Sequence, residues 1–205
     1  MPVIGTLGGA SLKSFGFTLG GASRPSAPSI GTATRSSGSI SIPFTPGFNG
    51  GSPVTGYTVT ASPGGATFAG SSSPITATGL TLGTSYTFTV TATNALGTSP
   101  ASGSSNSVVF AQVPYAPTIG TATVASITSA NITYTAPATS SGDAITSYTA
   151  TAYASGSSTG ITGTVNQAGS GTITLGGLTS GTQYTFTVYA TNSLGNGTQS
   201  AQSNS

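Results

Sequence analysis

The stretch Leu82 to Thr98, L-G-T-S-Y-T-F-T-V-T-A-T-N-A-L-G-T, returns almost unchanged as S-G-T-Q-Y-T-F-T-V-Y-A-T-N-S-L-G-N from Ser180 to Asn196. Within the first copy Tyr86, Phe88, Val90 and Ala92 alternate with Thr87, Thr89, Thr91 and Thr93. A period of two sends the apolar set to one face of a strand and the hydroxyls to the other. With Asn94 and Gly97 as turn formers at its end, this pattern predicts a half-buried antiparallel strand. One such strand in each half of the chain predicts two domains in tandem, each long enough to bury a core without covalent staples.

Composition then narrows function more than any motif does. Charged residues make up 2% of the 205, with three bases, one acid, no histidine and no cysteine. Lys13, Arg24 and Arg35 are the bases and Asp143 is the acid. General acid–base chemistry near neutral pH needs His, Glu, Asp or a tuned Lys in a pocket, so hydrolytic catalysis is disfavoured. Three bases among the first 35 residues are also too few to neutralise a row of phosphates, which argues against nucleic acid as a partner. A surface of Ser, Thr, Gly and Asn with little net charge has weak mutual repulsion and favours association.

Residues 1–26 read as a separate, glycine-punctuated arm, followed by domains over 27–113 and 114–205. No basic cluster precedes an apolar run in the arm, so a secretory signal of the usual form is not expected, and no uninterrupted stretch is long enough to span a membrane. Leu12, Phe15, Phe17 and Leu19, beside Lys13 and ahead of Arg24, are too few to make a core alone. The arm is expected to bury them against something else, with a leader without fixed structure, or a strand added to the first domain, as the alternatives.

Both domains open alike, A-P-S-I-G-T-A-T from Ala27 and A-P-T-I-G-T-A-T from Ala116. The copies stand 89 residues apart there but 98 apart at Tyr86 and Tyr184, so the second domain is expected to carry a longer loop or hairpin between Ala152 and Leu178. Ile40, Ile42 and Phe44 form an inward set answered by Ala130, Ile132 and Tyr134. Pro43 interrupts that run, and a proline without an amide marks an edge or bulge. Ser62-Pro63-Gly64-Gly65 reads as a type II turn. Ser107 to Phe110 reads as the last strand of the first domain. Val113-Pro114-Tyr115-Ala116-Pro117 reads as a stiff link that holds the domains at a fixed angle.

Together these residues carry a resemblance. The A-P opening, S-I-P-F-T-P-G-F-N-G-G-S-P-V-T-G-Y-T-V-T, the L-x-x-G-T-x-Y corner and A-T-N-x-L-G resemble fibronectin type III domains of the bacterial and phage kind, over Ala27 to Ser205. The resemblance implies an all-β chain: two tandem seven-strand, immunoglobulin-like sandwiches after an extended N-terminal arm. It also implies that Leu80 with Tyr86, and Leu178 with Tyr184, form tyrosine corners. Phe44 and Tyr134 stand where many members carry tryptophan. The second copy departs from the first after S-N-S at Ser203 to Ser205, lacking the apolar Val108-Val109-Phe110 that follows Ser105 to Ser107. A frayed final strand or a longer natural chain would account for this, as would a sheet edge completed by a partner strand.

No catalytic, metal or cofactor arrangement emerges. Ser11, Lys13 and Ser14 lie near one another, but a serine–lysine pair needs a desolvated lysine in a built site. Asp143, in S-S-G-D-A, suits a turn in which aspartate caps the backbone. The outward threonine rows are ordinary for strands, and strand twist opposes a flat surface-binding array. One difference between the copies stands out: Tyr153 replaces Ser62 and Tyr189 replaces Thr91, both on outward positions of neighbouring strands. They predict an exposed aromatic face suited to protein or sugar, against a cross-strand pair that serves only the sheet.

What the resemblance then implies is a non-enzymatic structural or adhesive protein of a bacteriophage virion: a tail fibre, appendage or capsid decoration. Its expected partners are other virion proteins, gripped by the arm, together with further copies of the chain and a host-surface glycan or protein. No cofactor, nucleic acid or membrane insertion is expected, and the expected location is the virion. The competing expectation is a bacterial cell-surface or secreted binding module, carbohydrate-directed, cut from a larger chain.

Overall fold

A computed structural model describes residues 21–139 and 141–205. Leu12, Lys13, Phe15, Phe17 and Leu19 lie outside the described residues. Among those described, every regular element is a strand.

In the first domain the alternating segments pair as their periods require. β1 (Ser29–Ile30) and β4 (Phe44–Thr45) form a short ribbon. β2 (Thr34–Ser36), β3 (Ser39–Ile42) and β7 (Ile75–Thr78) make one sheet in the order β2-β3-β7. The facing sheet runs β10-β8-β5-β6, from β5 (Val54–Ser62), β6 (Thr67–Gly70), β8 (Ser85–Asn94) and β10 (Val108–Val109), with β9 (Gly97–Thr98) beside the end of β8. Inward partners stand opposite one another: Ile40 with Ala77 and Ile42 with Ile75 in one sheet, Val59 with Val90 and Ala61 with Phe88 in the other. All eight are buried. Pro43 falls between β3 and β4, where the chain leaves one sheet and its carbonyl accepts the Gly31 amide at 2.8 Å.

The second domain repeats this plan. β11 (Thr118–Ser126), β12 (Ser129–Thr135) and β15 (Gly171–Gly176) form one sheet. β13 (Ser147–Ala154), β14 (Ser157–Val165), β16 (Tyr184–Asn192) and β17 (Gly195–Asn196) form the other, in the order β14-β13-β16-β17. Its core is Ala130, Ile132, Tyr134, Tyr148, Ala150, Ala152, Ile173, Leu175, Phe186, Val188 and Ala190. The extra residues expected after Ala152 lengthen a hairpin: β14 has nine residues where β6 has four.

Two expectations are corrected. Ser62 to Gly65 is not a type II turn, because the Gly65 amide donates to Ala61 rather than to Ser62, at 3.0 Å, and the Ala61 amide to Ala66, at 2.8 Å. Two consecutive glycines at φ +88° and +67° make this wider closure possible. The stretch after β17 is not frayed either. The Ser200 and Ser203 amides donate to Val188 and Phe186, whose own amides donate back to the two serine hydroxyls. Asn204 takes the Ala122 amide on Oδ1 at 2.8 Å and donates from Nδ2 to the Ala122 carbonyl at 3.1 Å. Ser102, Ser105 and Asn106 make the same bonds in the first domain, to Val90, Phe88 and Ala33. Side-chain hydroxyls at a spacing of three thus satisfy backbone groups that a regular ladder would leave to a strand of period two.

Candidate functional site

At each expected corner a phenol closes a loop on itself. Tyr86 Oη accepts the Thr81 amide at 3.1 Å, and Tyr184 Oη accepts the Thr179 amide at the same distance. Leu80 and Leu178 pack, partly buried, against their cores. The amide bond to its oxygen favours the Tyr184 phenolate and lowers its pKa. The two domains differ in surroundings: Tyr86 is buried, whereas Tyr184 is half-buried.

Tyr153 and Tyr189 do lie on one outward face, since β13 and β16 are neighbours and both residues take the outward phase. They are half-buried rather than exposed. Nor do they pair across strands: Tyr153 stands opposite Thr185 and Tyr189 opposite Thr149. Four residues of strand, roughly 14 Å, separate the two positions. The threonines between them, Thr149, Thr151 and Thr187, are buried although they point away from the core. Thr149 and Thr164 share a hydroxyl bond of 2.9 Å, and Tyr153 Oη donates to Gln199 Oε1 at 3.2 Å. Thr187 Oγ1 has no partner, although the residue is only 5% exposed. The face thus carries two half-buried tyrosines and one buried hydroxyl without a partner.

A second cluster joins the domains, and sequence reasoning missed it. Asp143 caps no turn; its Oδ2 faces Arg35 Nη2 at 3.3 Å and accepts a short bond from Ser193 Oγ, to which Arg35 also donates at 2.8 Å. The chain's one acid thus meets one of its three bases across the junction. Around them Gly38 donates its amide to Ala111 (2.9 Å), Val113 to Ser37 Oγ (3.1 Å) and Gln112 to Ser141 (2.9 Å), while Asn192 Nδ2 donates to the Gln112 carbonyl (2.8 Å). The one signal in the sequence was charge scarcity itself: a lone acid in a chain this neutral has few partners to choose from.

The same seat recurs at the opposite pole of the first domain. There Ser23 donates its amide to Gly50 (2.7 Å) and its carbonyl accepts Asn94 Nδ2 (2.8 Å), as Gln112 does with Ser141 and Asn192. Arg24, expected to grip a partner, is exposed beside it. No group of three metal-binding side chains occurs among the described residues.

Two sandwiches with matching corners, cores and linker seats share one family plan, and the family model described as Fibronectin type III domain matches residues 23–108 and 115–205. The chain belongs to the fibronectin type III family. Among solved structures it is similar to the FN1-FN3 domains of chicken CNTN1, at 23% identity over 88% of this chain and 67% of that one, with a TM-score of 0.48. It is also similar to domains A168-A170 of titin, at 23% identity over 88% of this chain and 60% of that one, with a TM-score of 0.47. The twitchin kinase region of C. elegans matches over 42% of this chain and 17% of that one, at 24% identity and a TM-score of 0.39. No curated protein matches by sequence. Fibronectin type III domains in tandem serve as binding or structural modules, and the tyrosine face and junction described here are features of that kind.

Proposed function

We propose that the chain is a non-enzymatic structural and adhesive component of a bacteriophage virion, docked by its N-terminal arm with two sandwiches projecting. The observation that carries this reading is the junction. Backbone bonds and an ion pair fix one domain on the next, while the chain enters the first domain at the pole opposite, beside Asn94. A rod held at one end suits a tail fibre, appendage or capsid decoration. The scarcity of charge and the likeness of the repeats to bacterial and phage copies of the domain support it as well.

Mass spectrometry of purified particles from the source tests it, with copy number taken from intensity. Stoichiometric presence supports the reading, and removing residues 1–24 should then abolish incorporation with both sandwiches still folded. A chain found in medium or cell envelope and absent from particles defeats it. The face bearing Tyr153 and Tyr189 favours a second reading, a bacterial cell-surface or secreted module directed to carbohydrate. Under that reading, changing both tyrosines to serine should abolish binding on a glycan array.

A further inference from the structure

β14 ends its sheet with a free side. Among the described residues it pairs with β13 alone, and no backbone group of another element bonds its outer edge. Its counterpart in the first domain, β6, is only four residues long and stops where a Cβ on Gly70 would meet Ile75 Cγ1 at 2.7 Å, as the chain crosses to β7. A short edge is one way in which a sheet avoids pairing with other chains. β14 lacks that protection: it has nine residues, none of them charged and none proline. The other nine-residue edge, β11, has its Ala122 amide and carbonyl taken by Asn204.

The two ends of β14 are closed by the chain itself. At the bulge opposite Ala152, Thr159 Oγ1 donates to the Ala152 carbonyl at 3.0 Å and accepts the Ile161 amide at 3.2 Å, and Ser158 Oγ accepts the Gly160 amide at 3.4 Å. At the other end the chain turns so that Gln167 Nε2 donates to Tyr134 Oη at 2.7 Å. Open between them lies Ile161-Thr162-Gly163-Thr164-Val165. From either end this segment reads apolar, threonine, glycine, threonine, apolar. Ile161 and Val165 take the inward phase and are only partly buried against the core, while Thr162 and Thr164 are exposed. Gly163 holds the strand close on the facing sheet, since a Cβ there would stand 3.3 Å from Ile173 Cγ2 and 3.4 Å from the Thr174 carbonyl.

We propose that this edge pairs with the same edge of a second copy, antiparallel about a two-fold axis at Gly163. In that register Ile161 of one chain opposes Val165 of the other, and Thr162 opposes Thr164, each pair occurring twice. The apolar surface that the core leaves uncovered is then covered from the other chain, and two four-stranded sheets become one continuous sheet. Any extended strand could offer backbone bonds to a free edge. A residue pattern unchanged by reversal is what a two-fold contact requires, and it selects a second copy of the chain. No charge stands on the edge to oppose its own image. The contact closes on itself, so it stops at the dimer, and its small size makes the dimer weak. Pairing is measured without any particle, so the contact stands or falls independently of the virion reading.

The test is sedimentation of the full chain across concentration, beside the variants T162K/T164K and T162K/T164E. Both sites are exposed, so both variants should keep the amide spectrum of the folded domain. The unaltered chain should pass from monomer to dimer as concentration rises, with hydrogen exchange slowing at amides within Thr162–Val165 in step. In the first variant lysine opposes lysine, and association should weaken about tenfold or more. In the second each lysine opposes a glutamate, and association should return to that of the unaltered chain. A chain that stays monomeric, or grows past the dimer, overturns the proposal. So do two variants impaired alike, which would place the contact elsewhere or in another register. Edge amides slowed equally at every concentration would overturn it too, by showing the edge filled within one chain.

Discussion

At the scale of single residues the second domain carries a cost the first does not. Thr187, whose strand position lies between those of Tyr153 and Tyr189, is buried with its hydroxyl unmet, whereas the corresponding Thr89 is half-exposed. A buried hydroxyl without a partner costs more than a solvated one. Thr187→Val should therefore raise stability by about 1 kcal/mol in urea unfolding, and a loss would mean the hydroxyl is satisfied in solution. The corner tyrosines predict the reverse. Tyr86→Phe strands the Thr81 amide in a part-buried setting and should lower stability by about 1–2 kcal/mol. Tyr184→Phe should shift the midpoint less, because Thr179 is exposed and water reaches its amide.

At the scale of elements, the aromatic pair across each core sets how the domains answer alkali. Tyr134 and Tyr148 lie with centroids 4.3 Å apart, as Phe44 and Tyr57 do at 4.7 Å. Burial is the main cause that raises both pKa values in the second domain; the Gln167 bond to Tyr134 opposes it, and the neighbouring Tyr134 adds to it for Tyr148. A phenol held protonated by the fold contributes stability fully present below its unfolded value, near 10, and lost as pH rises through the raised one. Tyr184 acts oppositely in a lower window, its phenolate favoured by the fold. Unfolding followed from pH 9 to 12 should show the second domain weakening above about 10, with the slope reduced in Tyr134→Phe. A slope unchanged by that substitution would place the loss elsewhere. The strands themselves were legible from period two, since alternation fixes which face is buried. The serine clasps at 102, 105, 200 and 203 were not, because a period of three in small polar residues looks like loop composition until β8 and β16 supply the amides they meet.

At the scale of the whole molecule, the junction decides whether the two sandwiches act as one rod. The Arg35–Asp143 pair is partly exposed, 30% and 22% for the two side chains, so screening keeps it to less than about 1 kcal/mol. Backbone packing matters more. Gly142 adopts φ +81°, and a Cβ there would meet Gly83 N at 2.5 Å and the Phe110 carbonyl at 2.7 Å. Gly142→Ala should thus open the junction, broadening the small-angle scattering profile while amide spectra away from the junction stay unchanged. Arg35→Ala should alter the profile little. Equal effects from the two would make the ion pair the main latch.

The sequence by itself determined the repeat, the all-β class and the alternating cores, because each arises from local periodicity and side-chain size, while the corner positions followed from the family resemblance of its motifs. Tertiary structure decided which distant residues meet. It brought Arg35 to Asp143 and left Tyr153 and Tyr189 half-buried on one face, four residues apart along their sheet. Those outcomes depend on how strands twist and on which pole of one domain faces the next, and neither is written in the spacing of residues along a single strand.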